Sequence, residues 1–329
     1  MNSLSAVTYI GEWTASRQGT CKDTDLAPLT APFRNILAVY DNAVGSDDVL
    51  ARAVALARTT GASLTVIKPL GTSPGSLATV AEARKRIARF VPWIVQEGVD
   101  SVHTDVLVGT PYVEISCRVL QHEHDLVIVS AEAGRCLKEM FCGTTAVNLM
   151  RKCPCAVWVV KPAPAERGSA VMAAVDAPHD SPASAINAKV LDVAVAVACA
   201  QDACLHVVHS WEVHGGEAEM LRSEIRDTTR QAILSKHEAS RRDALETLLD
   251  RHRKSQVQTK VHLPRGAPHP SITTFAERLD VGLIVMGTAC RVGIPGLLKG
   301  NSVERVLEAV DCDVLSVKPD DFRTPIAHP

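Results

Sequence analysis

Along this chain, short runs of Val, Ile, Leu and Ala alternate with longer stretches whose apolar residues recur at helical spacing. Uninterrupted apolar runs mark strands buried on both faces. Their separation by amphipathic stretches marks parallel strands joined by right-handed crossovers. The pattern predicts strands at Ile36 to Tyr40, Leu64 to Ile67, Val102 to Val108, Leu126 to Val129 and Ala156 to Val160. Val49, Leu50, Ala53, Val54 and Ala57 outline one face of a helix that Ser46 is placed to cap, and another helix is predicted over 144–151. The same order returns at Val171 to Val175, Leu205 to His209, Val257 to Leu263, Leu283 to Met286 and Val314 to Val317.

That return is an internal duplication. Gly109 matches Gly266, the run from Leu126 matches that from Leu283, Gly143 matches Gly300, and Val160 to Pro162 matches Val317 to Pro319. Each pair lies 157 residues apart (266 less 109). Upstream, Leu37 to Asp41 matches Met172 to Asp176 with an offset of 135, so the second copy carries 22 extra residues before Gly266. Leu221, Ile225, Ile233, Leu245, Leu248 and Leu249 recur at helical spacing between Glu212 and Lys254, which predicts a longer helical excursion there. The expected architecture is α/β: two tandem doubly wound, Rossmann-like domains, each with a five-stranded parallel sheet. Residues 1–32 form a polar extension expected to be poorly ordered, 33–163 the first domain and 168–329 the second. A proline-bearing linker from Pro162 to Gly168 joins them.

Composition narrows the class. The 329 residues suit two cores, and with only 4% aromatic residues the aliphatic side chains must fill them. A net charge of -2, with no cluster of aromatic and basic residues, argues against direct nucleic-acid binding. The sequence has no apolar run long enough for a membrane helix and no secretion signal at its start, so a soluble cytoplasmic protein with reduced thiols is expected.

In open doubly wound sheets, ligands bind beyond the carboxyl ends of the strands. After the fourth strand of the second copy, Gly287 and Gly300 flank a loop that ends in Asn301 and Ser302 before a helix. Glycines permit close approach, and side-chain donors with free helix amides suit an anion. The segment lacks the Walker spacing, and nucleophile-elbow and zinc-protease motifs do not occur. His206 and His209 are three apart on a strand and so point to opposite faces. Cys136, Cys142, Cys153 and Cys155 lack zinc-knuckle spacing, so no metal is expected. The basic group Arg84, Lys85, Arg86 and Arg89 reads as a solvated helix face.

The spacing Gly287-x2-Cys290-x9-Gly300-Asn301-Ser302 resembles the loop of the universal stress protein family, whose nucleotide-binding form is Gly-x2-Gly-x9-Gly-Ser/Thr. The segments Leu149 to Pro154 with Val157 to Lys161, and Val317 to Pro325, resemble its tandem E group. The resemblance spans residues 33–326. It implies a stress-response role and, in the second copy alone, an ATP site at Asp176, Ser210, Met286, Gly287, Cys290, Gly300, Asn301 and Ser302. Cys290 departs from that pattern: at a second glycine of positive φ, a side chain costs roughly 1–2 kcal/mol and crowds a phosphate. In the first copy Ser130 and Ala133 replace the glycines and Glu132 adds negative charge, so no nucleotide is expected there. Asp41 reads as a strand-end residue kept by the duplication.

The leading expectation is a non-enzymatic stress-response protein that binds a small ligand or protein partner, ATP or AMP in the second copy being one candidate. A slowly ATP-hydrolysing switch and a carrier for an apolar or lipid ligand between the copies are the alternatives. Single-domain members of this family pair through their last strands, so Ala156 to Val160 and Val314 to Val317 are expected to make that pairing internally, as a pseudo-dimer able to pair again as a homodimer.

Overall fold

The computed structural model describes residues 32–71, 77–131, 144–162, 168–176, 183–223, 225–253, 255–288 and 302–326, together with the backbone of 9–13. The first copy runs β2 (Asn35–Val39), α1 (Ser46–Thr60), β3 (Ser63–Leu70), α2 (Leu77–Ala88), α3 (Val91–Gln96), β4 (Val102–Val108), α4 (Pro111–His122), β5 (Leu126–Ser130), α5 (Thr144–Lys152) and β6 (Ala156–Val160). The second runs β7 (Ala170–Ala174), α6 (Ala183–Ala200), β8 (Leu205–Val208), α7 (Gly216–Arg222), α8 (Asp227–Leu249), β9 (Thr259–His262), α9 (Pro268–Arg278), β10 (Val281–Gly287), α10 (Ser302–Ala309) and β11 (Asp313–Val317). Ahead of both, β1 (Tyr9–Trp13) lies antiparallel to β9, so the N-terminal extension contributes a strand that its polar composition does not announce.

The strands form one continuous sheet in the order β1, β9, β8, β7, β10, β11, β6, β5, β2, β3, β4. Within each copy the five strands are parallel. Counted from each copy's own first strand, the order is 3-2-1-4-5, so the direction of winding reverses between β2 and β5 and again between β7 and β10. The predicted strands are present, two with the same bounds and the rest with ends shifted by at most three residues. The excursion expected between Glu212 and Lys254 is α7 and α8.

The copies join through β6 and β11, which pair antiparallel with Trp158 opposite Leu315. These two are equivalent residues of the repeat, so the pseudo-twofold axis passes between them. Every residue of β5, β6 and β11 is buried. Alternate side chains of the sheet feed two cores that run across both copies. One holds Ile36, Ile128, Trp158, Val171, Val285 and Leu315 against α1 and α6. The other holds Leu37, Val127, Val159, Met172, Ile284 and Val314 against α4, α5, α9 and α10. Aliphatic branched residues pack well on both faces of such a sheet, which explains how the cores fill with few rings.

The junction is not symmetric. Asp313, 1% exposed, accepts from Arg52 Nε at 2.9 Å, Trp158 Nε1 at 3.2 Å and the Lys161 amide at 2.9 Å. Its equivalent at the start of β6 is Ala156. Beside Ala156 the copies leave a cavity of about 1030 Å³ lined by Arg34, Asp125, Cys155, Asp192, Cys199 and Lys318, among others. Among the described residues, no helix is long and apolar enough to cross a membrane.

One expected cap is not made. Gly45, with φ of 89°, precedes α1, and the Ser46 hydroxyl donates to Asp41 Oδ1 at 2.9 Å instead of to the helix.

Candidate functional site

In the second copy the carboxyl ends of β7, β8 and β10 open into a cavity of about 540 Å³. Its floor is apolar: Val175, Ile186, Val208, Trp211, Ile272, Met286 and Val306. Polar groups stand around the rim at Asp176, His209, Ser210, Arg241 and His269. A mostly apolar cleft with a few convergent polar groups at a topological switch point is the usual form of a small-ligand site.

Asp176 follows β7, and its backbone is clamped by Asn187 of α6, which accepts from the Asp176 amide at 3.0 Å and donates to its carbonyl. The carboxylate itself is 81% exposed, and its nearest cationic candidate is His209 Nδ1 at 4.0 Å. His209 is buried and donates from Nδ1 to the Val175 carbonyl at 3.1 Å. Burial lowers its pKa against the opposing pull of that bond and of Asp176, which favours the neutral ring. Ser210 donates to the Gly266 carbonyl and lies 3.2 Å from Ser271 Oγ.

Gly266 has φ of +139° and its repeat partner Gly109 has +146°, values that favour glycine. Their amides donate to Trp211 and Leu70 at 2.9 and 3.0 Å. The duplication thus preserves a turn that aims the third strand's loop at the switch point. Gly287 has a different reason for being glycine. A Cβ there would sit 2.8 Å from Ile186 Cγ1, so the absent side chain lets α6 approach the end of β10.

Of the site residues expected from sequence, Asp176, Ser210, Met286 and Gly287 converge on this cavity. Ser302 begins α10. Cys290, Gly300 and Asn301 lie outside the described residues, as do Glu132, Ala133 and Gly143 of the first copy. The structure adds Trp211 and Arg241. The Arg241 guanidinium lies 5.6 Å from the Trp211 ring centre, and His237 of the same helix stacks on that ring at 6.5 Å. Both Arg241 and His237 belong to α8, in the longer excursion of the second copy. Trp211 was legible as a large residue just beyond a strand end.

The histidines separate as strand geometry requires. His206 faces away from the cavity and pairs with His262, Nδ1 to Nε2 at 2.9 Å with the rings stacked, and burial lowers both pKa values to about 4. No group able to hold a metal ion occurs among the described residues. Arg84, Lys85, Arg86 and Arg89 lie on the exposed face of α2 and its end, as expected.

At the matching place in the first copy, Asp41 Oδ1 accepts from the Ala43 amide at 3.0 Å and from Ser46 Oγ at 2.9 Å. Ser130, where the second copy has Gly287, donates to the Val44 carbonyl at 2.6 Å. Lys68 stands at the position of His209 and Pro69 at that of Ser210. Lys68 is buried, and burial lowers its pKa although Asp41 opposes the shift.

The universal stress protein family model matches residues 32–161 and again 170–318. Universal stress protein E of Salmonella typhi is 27% identical over 314 residues, covering 90% of this chain and 98% of that protein. Its counterpart in Escherichia coli K12 is 26% identical over 313 residues, covering 90% and 97%. Among solved structures, a functionally unknown protein of Pseudomonas aeruginosa PAO1 superposes with a TM-score of 0.69 at 25% identity, covering 89% of this chain and 95% of that one. Two matched segments, one per copy of the duplication, establish that this chain belongs to the universal stress protein family as a tandem protein related to universal stress protein E.

Proposed function

We propose that the protein is a non-enzymatic ligand-binding member of its family and that the second copy takes an adenine nucleotide in the cavity bounded by Asp176, Ser210 and Gly287. The observation that carries this reading is the exposed Asp176 carboxylate at the switch point, held in place through its backbone and free to meet a ligand's hydroxyl groups. Trp211 and Met286 offer apolar surface to a base, and Arg241 offers positive charge. Titration calorimetry with ATP-Mg²⁺ should give a single site per chain that AMP competes for. Absence of heat, together with absence of adenylate from freshly purified protein, would overturn the assignment. Steady nucleotide turnover would move the protein to the class of slow ATPases.

A second reading, a carrier for an apolar ligand between the copies, draws support from the cavity beside Ala156, whose wall includes Val193, Val195 and Ala196 of α6. Native mass spectrometry separates the two: a retained lipid mass supports the carrier, a nucleotide mass supports the first reading.

A further inference from the structure

Cys153 and Cys155 flank Pro154 in the short connection between α5 and β6, and their sulfurs lie 3.6 Å apart. Cys155 is half-buried and lines the cavity between the copies, whereas Cys153 is fully buried behind it. We propose that these two thiols form a redox pair that a hydroperoxide entering the inter-copy cavity converts to an intramolecular disulfide.

The surroundings suit that chemistry. Burial alone would raise the Cys153 pKa, but the hydrogen bond with Cys155, the nearby Lys318 ammonium and the Ser116 hydroxyl outweigh it and lower it. Burial and the neighbouring sulfur raise the pKa of Cys155. The pair therefore gives up one proton readily and holds the other between its sulfurs. Across the 3.6 Å contact the Cys153 thiolate takes the Cys155 proton as the Cys155 sulfur, which faces the cavity, attacks an oxygen of the hydroperoxide. The O–O bond breaks, the leaving oxygen takes a proton and departs as an alcohol, and the sulfur becomes a sulfenic acid. The second thiol loses its proton and attacks that sulfur, the S–OH bond breaks, and water leaves. Two thiols have lost two protons and two electrons, and the hydroperoxide has become alcohol and water. Residues two apart bring their Cβ atoms within disulfide reach after a modest local turn.

The end of α5 that leads into the connection is tied to the other copy. Lys318 Nζ donates to the Met150 carbonyl, and Thr324 Oγ1 donates to the Lys152 carbonyl at 2.6 Å. Oxidation would therefore be felt where β6 meets β11.

The test uses the intact chain and hydrogen peroxide. Trypsin releases residues 153–167 as one peptide that contains these two cysteines and no other. After brief peroxide exposure and alkylation, the peptide should carry no label, be lighter by two hydrogens, and regain two labels after dithiothreitol. It should react at least about tenfold faster than the exposed, solitary Cys199. Two labels on the peptide when Cys199 has already been oxidised, or protection by sulfinic acid or a bond to another cysteine, would overturn the proposal. In Cys155→Ser, oxidation of Cys153 should slow by at least about tenfold, and an unchanged rate would equally overturn it. Should that variant fail to fold, the wild-type peptide still decides.

Discussion

The two copies share one chain path and differ where their strands end. In the second, Asp176 is exposed, Gly287 leaves room, and the loop ends enclose a cavity. In the first, Asp41 bonds to its own turn, and the Ser130 hydroxyl reaches across to Val44. The difference teaches that the strand ends can diverge without disturbing the fold. Groups that could meet a ligand are satisfied by protein atoms instead, and the sheet beneath them keeps its register. The junction shows the same divergence in reverse, with a buried ion pair at Asp313 and a cavity at Ala156.

The largest effect is expected at that junction. Asp313→Ala leaves the Arg52 guanidinium and the Trp158 and Lys161 N–H groups without the carboxylate, and should cost about 3–5 kcal/mol in urea unfolding. Gly287→Ser, which installs the first copy's residue in the second, forces Ile186 aside and should cost about 1–3 kcal/mol. It should also abolish the calorimetric signal for ATP-Mg²⁺.

A third test uses acid. His206 and His262 belong to the second copy, where the first has Thr65 and Asp105. Their folded pKa values, about 4, lie below the usual value of 6.5. The unfolded chain therefore binds more protons in this window, so stability is full above about pH 6.5 and falls as the pH drops toward 4, by on the order of 3 kcal/mol for each ring. Hydrogen exchange followed from pH 7 to 5 should show β8 and β9 losing more protection than β3 and β4. Equal loss would mean that the histidine pair does not set the acid response.

The smallest expected effect is the sharpest discriminator. Asp41→Ala should cost about 1 kcal/mol of stability and leave ATP binding unchanged, since that carboxylate caps its own turn. Asp176→Ala should leave the unfolding midpoint in place and weaken binding at least about tenfold. The opposite pattern would assign the ligand to the first copy.

Much of the fold was legible because its signals are local and repeated. Runs such as Leu126 to Val129 and Leu283 to Met286 can satisfy their apolar side chains only inside a sheet covered on both faces, and the constant offset between copies located the equivalent loops. Four of the positions that the family resemblance implied, Asp176, Ser210, Met286 and Gly287, line the cavity of the second copy. Ser46 was misjudged as a helix cap because its partner, Asp41, sits across a turn whose geometry the spacing does not encode. Gly287 was identified as a point of close approach, but the approaching group is Ile186 of α6. Arg241 was missed because it lies within α8, far along the chain from the strand ends that frame the cavity.

By itself, the sequence determined that there are two parallel α/β domains and where their strands lie. These follow from periodicity and duplication, which are properties of neighbouring residues. Tertiary structure decided the pairing geometry centred on Trp158 and Leu315, the burial of Asp313, the meeting of Arg241 with Trp211, and the approach of Cys155 to Cys153 at a shared cavity. Each depends on segments distant in the chain, or on a side-chain direction, and such contacts exist only once the strands have been placed side by side.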